Sequence, residues 1–124
     1  MFFLFNEEES GVFKYSHPLK VPYLKDLLLR FEKIDELEAA FLYGGTLAEH
    51  CNQYSDIDLY CILNCKPTHT LTKRIRRLCR IKTQSIDFLF NTRAGFLEEA
   101  AVFSSIENKI INEGVVLYAK GNAV

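Results

Sequence analysis

The fold is decided by residues 39–63, which read AAFLYGGTLAEHCNQYSDIDLYCIL. The opening apolar run is long enough for a buried strand and too short for a buried helix, and Gly44-Gly45 ends it. Residues 46–51 can then form a brief helix. From residue 56 to residue 63 the side chains alternate between two faces, one with both acids and one that is apolar, and this alternation predicts a second strand.

Helical and strand periodicities on both sides of this stretch predict the remaining elements. The first is a helix from Pro22 to Ile34, and the second is a helix after Pro67 with Leu71, Ile75 and Leu78 facing inward. A strand at 85–90 follows, and then helices at 96–102 and 104–112 that end at Gly114 as a C′ residue. The last element is a strand at 115–118. Alternating helices and strands indicate an α/β or α+β layer structure on a small sheet.

Length and composition limit the classes of protein that fit. The chain has 124 residues, 48% of them hydrophobic and 25% charged, which suits one soluble domain. Residues 1–16 read as an arm or loose hairpin, and residues 17–124 as the domain. The formal net charge of -1 gives no general attraction to phosphate backbones, so nucleic acid is not expected as a direct partner.

The chain is expected to be cytoplasmic and not bound to a membrane. Its apolar stretches reach about half of the roughly 20 residues that a transmembrane helix needs. The apolar start lacks a basic region and runs into Glu7-Glu8-Glu9, which is unlike a signal peptide. Four cysteines without zinc-site spacing are expected to be reduced and structural: Cys51, Cys61, Cys65 and Cys79.

Acidic side chains stand where buried strands normally carry valine or isoleucine. Asp56 and Asp58 share one strand face, and Asp87 lies in the apolar segment at 85–90. Carboxylates placed so close together repel unless a cation lies between them. Mg²⁺ takes oxygen ligands and keeps positions for water and phosphate, so the three acids predict a magnesium site. The alternative is structural, with Asp56 capping a turn and Asp87 on an exposed sheet edge.

The turn Tyr43-Gly44-Gly45-Thr46 is a candidate phosphate site. A strand that ends in two glycines before a short helix lets backbone N–H groups approach an anion. Taken alone it would more often be only a tight turn. Ten residues separate Gly45 from Asp56, which places a phosphate site beside a candidate metal site.

Together these motifs resemble the nucleotidyltransferase superfamily related to DNA polymerase beta. Gly44-Gly45, ten residues, Ser55-Asp56-Ile57-Asp58-Leu59 and the isolated Asp87 are similar to the signature of minimal nucleotidyltransferase (MNT) domains. MNT proteins are small partners of HEPN-domain proteins in two-gene modules. The ending at residues 106–118 also looks like theirs, so the resemblance spans about residues 22–118.

The resemblance implies a small mixed sheet with helices packed mainly on one face, as in the polymerase beta palm. It implies two Mg²⁺ ions held by Asp56, Asp58 and Asp87, and a nucleoside triphosphate, expected to be ATP, bound by Gly44, Gly45, Thr46 and Ser55. The reaction would transfer AMP to a hydroxyl acceptor on a partner, with release of pyrophosphate. The implied partner is a HEPN-domain protein, often a ribonuclease toxin, which would make this chain an antitoxin-like subunit. The resemblance leaves the oligomeric state open between a homodimer and a hetero-oligomer.

Departures from the family pattern support a second hypothesis. Gly45 stands where serine is common, and Ala48 and Glu49 replace a common arginine and glycine. The alternative is therefore a catalytically weak or inactive domain that acts as a binding and neutralising subunit. A small aminoglycoside-type nucleotidyltransferase or a glycosyltransferase fits less well, because 124 residues leave little room for the domain that each would need.

A stripe of positive charge follows the helix after Pro67. Its members lie at i, i+3, i+4 and i+7: Lys73, Arg76, Arg77 and Arg80. Such a stripe is usually a solvated face. The functional alternative is an anionic partner, namely a triphosphate tail, an acidic protein patch or RNA.

Overall fold

The computed structural model describes residues 18–44 and 51–120. After a 3-10 turn at Pro18–Lys20, the elements in chain order are α1 (Val21–Phe31), β1 (Leu37–Tyr43), β2 (Ile57–Leu63), α2 (His69–Leu78), β3 (Ile86–Thr92), α3 (Arg93–Ala100), α4 (Ile106–Glu113) and β4 (Val115–Ala119). The expected N-terminal hairpin, nearly all of the expected helix at 46–51, and Gly45 and Thr46 lie outside the described residues.

The four strands form one mixed sheet in the order β3-β2-β1-β4. β1 pairs antiparallel with both β2 and β4, whereas β2 and β3 run parallel. The parallel pair requires a crossover, which α2 supplies. The predicted α+β class with a small mixed sheet is therefore confirmed.

Two apolar clusters cover the two faces of the sheet. The larger joins α1 and α2 to the face that carries Ile57, Leu59 and Cys61. The smaller packs Phe96 of α3 and Ile110 of α4 against the opposite face. The expectation of helices mainly on one face holds for the two longer helices, while two eight-residue helices add a second layer across part of the other face.

Local signals explain where the helices begin. Pro22 lies in the first turn of α1. The hydroxyls of Thr68, Thr92 and Ser105 each accept a hydrogen bond from the backbone N–H three residues on, at 2.9–3.1 Å, and so cap α2, α3 and α4. At the other end of α2, the Arg30 guanidinium donates to the carbonyls of Leu78 and Arg80.

Two details of the sequence prediction are wrong. Leu78 does not face inward but is 37% exposed, because the inward position after Leu71 and Ile75 is taken by the fully buried Cys79. Gly114 does end α4, but as its C-cap residue with an extended backbone (φ -72°, ψ 162°) and not as a C′ residue. Glycine is needed there for space, because a Cβ would lie 2.6 Å from the carbonyl oxygen of Ile110.

Two further expectations concern reduced cysteines and membrane-spanning helices. All four cysteines are free thiols, three of them buried and Cys65 exposed. No helix within the described ranges is long and apolar enough to cross a membrane.

Candidate functional site

Three neighbouring strands present polar side chains at one level of one sheet face. In the strand register Tyr43 of β1 lies opposite Asp58 of β2, and Asp58 lies beside Asp87 of β3. Adjacent strands are about 4.8 Å apart, so the two acids occupy adjoining positions. Asp58 is half-buried and Asp87, on the edge strand, is exposed. The parallel crossover thus brings together two acids that lie 29 positions apart in the sequence.

The glycine turn and the acidic strand meet at Gly44. Its φ is +63°, a left-handed conformation that glycine adopts without strain. A Cβ at this position would lie 2.8 Å from Oδ2 of Asp58. The backbone angle therefore favours glycine, and the absence of a side chain leaves room for the Asp58 carboxylate beside the turn. The two sequence motifs thus lie next to each other.

The acids make the surroundings of Tyr43 electronegative. Burial raises the pKa of the Tyr43 phenol to about 12, and the negative charges of Asp58, Asp87 and Glu107 add to the shift. A phenolate would face these carboxylates, so Tyr43 stays protonated at neutral pH. Its hydroxyl can act there as a hydrogen-bond donor or acceptor and not as a base.

Asp56 lies one residue before β2, between two anchored neighbours. The N–H of Ile57 donates to the carbonyl of Ser85 at 3.0 Å. The carbonyl of Ser55 accepts from Lys20 Nζ at 2.6 Å and from Gln84 Nε2 at 3.0 Å. The Asp56 side chain is exposed, but its backbone is held from both sides.

Lys20 is a buried cation beneath this segment. It is 1% exposed, and its ammonium also donates to the side-chain oxygen of Gln84 at 2.7 Å and to the Gln53 carbonyl at 3.4 Å. All these partners are neutral oxygens. Sequence reasoning missed Lys20, because a lysine ahead of an amphipathic helix normally lies in solvent and the partners lie 33 to 64 positions away.

A second polar cluster lies further along the same face. Tyr60 is 1% exposed, and its hydroxyl donates to Glu107 Oε2 at 2.7 Å and accepts from Asn91 at 3.2 Å. Burial, and then the bond to Glu107, raises the pKa of the Tyr60 phenol. Phe96 packs edge-on against its ring. Tyr60 thus belongs to the core, and Glu107 is a further acid on this face that the sequence did not single out.

The structure brings only some of the predicted site residues together. It brings together Gly44, Asp58 and Asp87, and it leaves Asp56 exposed at the rim. Among residues 18–44 and 51–120, no three acidic, histidine or cysteine side chains form a group that could hold a metal ion. Ser55 Oγ accepts from the N–H of Asn52 at 2.9 Å, which leaves its own hydroxyl proton to donate.

Comparisons with known proteins give structural neighbours only. No family model and no curated protein matches the chain. Solved structures similar to it include a complex of tri-AMPylated HEPN toxin from Shewanella oneidensis with MNT antitoxin, with a TM-score of 0.49 and 16% identity over 82% of this chain and 73% of the other. Another is a mutant of the MntA–HpeT toxin–antitoxin pair, with a TM-score of 0.49 and 13% identity over 81% and 70%.

Proposed function

We propose that this protein is a Mg²⁺-dependent nucleotidyltransferase that transfers AMP from ATP to a hydroxyl group on a HEPN-domain partner. The observation that carries the proposal is the placement of Asp58 beside Asp87, with Gly44 against the Asp58 carboxylate. A phosphate-binding turn and an acid pair on one sheet face are what nucleotide chemistry of this kind needs.

The donor set suits magnesium. Asp58 and Asp87 offer carboxylate oxygens from adjoining strands, and Asp56 follows the same face two residues earlier. Mg²⁺ commonly takes one or two protein carboxylates and completes its shell with water and phosphate, so this pair suffices to start a site. Asp56 would add the third carboxylate, and the proposed occupancy is two ions.

The chemistry divides between the metal and the chain. When bound, Mg²⁺ supplies charge neutralisation on the triphosphate and lowers the pKa of the acceptor hydroxyl. Gly44 keeps the space above Asp58 clear of side-chain atoms, and with Gly45 and Thr46 it would offer N–H groups to phosphate. Ser55 can donate its hydroxyl proton to the same ligand.

The acceptor is expected to be supplied by a second polypeptide. The described elements form one sheet with its two covering helix pairs, and none forms a separate acceptor-binding unit among residues 18–44 and 51–120. By resemblance the partner is a HEPN-domain protein, and AMP transfer to it would neutralise it.

The test uses ATP labelled at either the α or the γ phosphate. The protein is incubated with Mg²⁺ and the product of the adjacent reading frame, together with ATP carrying ³²P at the α or the γ position. Nucleotidyl transfer labels the partner from α-labelled ATP alone. Asp58→Asn should abolish this labelling, while Asp35→Asn, an exposed acid outside the site, should leave it intact. Labelling from γ-labelled ATP, or full activity in Asp58→Asn, would contradict the proposal.

The alternative is a binding subunit without catalysis. It is favoured by the lack of any three-residue metal-binding group in the described part of the chain. A binding subunit would neutralise its partner with no label transferred, and Asp58→Asn would neutralise it equally well. The same labelling experiment, run beside an assay of the partner's activity, separates the two functions.

A further inference from the structure

A cleft lies between the C-terminal end of α2 and the start of β3. Its volume is about 290 Å³. Its polar lining comes from Arg76, Arg80, Lys82, Gln84 and Ser85, and Phe88 contributes to its apolar wall. Side chains that follow one another on a strand point to opposite faces, so Phe88 and this cleft lie on the other side of the sheet from Asp58 and Asp87, which we call the acid row.

The charged side chains that line the cleft are all positive. Arg76, Arg80 and Lys82 are exposed, and the lining contains no Asp or Glu. Within residues 18–44 and 51–120, no carboxylate lies within ion-pair distance of these three cations. From residue 60 to residue 86 the sequence has seven Lys and Arg and no acid, so the local field is positive although the whole chain is nearly neutral.

The negative end of α2 is partly offset beside the cleft. The last carbonyls of a helix carry partial negative charge. Here the Arg30 guanidinium donates to the carbonyls of Leu78 and Arg80 at 3.1 and 3.0 Å. Asp26 pairs with Arg30 and lines a neighbouring groove with Leu29 and Leu78.

Phe88 is the aromatic residue of the cleft wall. Its ring lies parallel to that of Phe90, which is outside the cleft lining, with centroids 5.7 Å apart and planes 5° from parallel, and both residues are half-buried. The Arg76 guanidinium lies 5.1 Å above the Phe90 ring. Flat aromatic faces beside arginines bind planar, anionic ligands by stacking and by charge-assisted hydrogen bonds.

We infer that this cleft binds a nucleoside polyphosphate, with its phosphates on Arg80 and Lys82 and its base against the wall at Phe88. Three cations match two or three phosphate groups, and a volume of about 290 Å³ lies at the lower end of the range of small-ligand sites. An acidic peptide would use the cations but not the aromatic ring of Phe88. The site is separate from the acid row and does not depend on the proposed transfer reaction.

The test is isothermal titration calorimetry with ADP in EDTA, so that binding at a metal-dependent site is suppressed. Arg80→Gln with Lys82→Gln should weaken ADP binding roughly tenfold or more, because two charge-assisted contacts are lost. The matched control, Lys73→Gln with Arg77→Gln, removes the same charge from α2 outside the cleft and should change the Kd by less than about twofold. Asp35→Asn, at an exposed acid outside the cleft, should bind ADP like wild type.

A second variant tests the wall. Phe88→Leu should weaken ADP binding while leaving that of inorganic pyrophosphate unchanged, since pyrophosphate has no base. The inference is overturned if the control pair weakens ADP as much as the cleft pair, or if pyrophosphate binds as tightly as ADP. It is also overturned if a ten-nucleotide single-stranded RNA or a poly-glutamate peptide binds more tightly than ADP, or if ADP does not bind at millimolar concentration.

Discussion

Replacing Lys20 by methionine should destabilise the protein substantially. The ammonium is 1% exposed and donates at 2.6 Å to Ser55 and at 2.7 Å to Gln84. In Lys20→Met the buried Gln84 oxygen loses this donor, whereas the Ser55 carbonyl keeps its bond from Gln84 Nε2 and Gln53 is exposed, so that its carbonyl can bind water. Each buried acceptor left without a partner costs about 1–3 kcal/mol.

Loss of the buried charge offsets part of this cost, because the ammonium no longer has to be desolvated. The net loss should be about 1–3 kcal/mol in the free energy of unfolding. For a chain of this length 1 kcal/mol corresponds to roughly 4 °C, so the Tm should fall by roughly 4–12 °C.

The assay is thermal and urea unfolding followed by circular dichroism. Lys33→Met is the matched control, since Lys33 is exposed, and it should change stability by less than about 0.5 kcal/mol. Amide hydrogen exchange should accelerate more at residues 53–57 than in α4. If Lys20→Met were as stable as the control, the buried ammonium would not hold the segment that carries Asp56.

Three further substitutions have defined outcomes. Gly44→Ala should lower the free energy of unfolding, measured in urea, by about 1–2 kcal/mol because of the positive φ. The new methyl group would also lie against the Asp58 carboxylate, which should add to the loss. A stability equal to wild type would exclude the left-handed turn. Tyr60→Phe should cost about 1–2 kcal/mol, since its hydroxyl donates to Glu107 at 2.7 Å, and an unchanged Tm would contradict that bond. The bond from Arg74 lowers the pKa of Glu36, so Glu36→Gln should be less stable than wild type at pH 7. A depressed pKa stabilises the fold above the unfolded pKa of about 4.3 and no longer does so below the folded pKa. The difference should therefore shrink as the pH falls below about 5, and a difference that did not depend on pH would refute the link.

Local patterns were sufficient for the fold. The amphipathic spacing of α1 and the alternation in β2 each depend on neighbouring residues, so the sequence predicts them directly. Element ends moved by one to three residues, as for β1, which begins at Leu37. The exposed Leu78 shows the limit of periodicity, because Leu78 and Cys79 both fit the helical spacing after Ile75 and the structure buries Cys79.

The site was predictable only in part. Asp58 and Asp87 could be paired in advance because acids in apolar strands call for an explanation, and the parallel register places them side by side. The contact between Gly44 and Asp58 depends on a turn angle that glycine permits but does not require. Lys20 could not be found, because its partners come from two distant loops and its burial is set by tertiary packing alone.

The central claim is that Asp56, Asp58 and Asp87 hold a divalent cation on the sheet face beside Gly44. Mn²⁺ is a paramagnetic substitute for Mg²⁺, and its binding can be followed by electron paramagnetic resonance as the signal of the free ion decreases. We expect wild type and Asp35→Asn to bind Mn²⁺ alike, and Asp58→Asn and Asp87→Asn each to lose most of that binding. Binding by the double variant Asp58→Asn with Asp87→Asn that equalled wild type would contradict the claim.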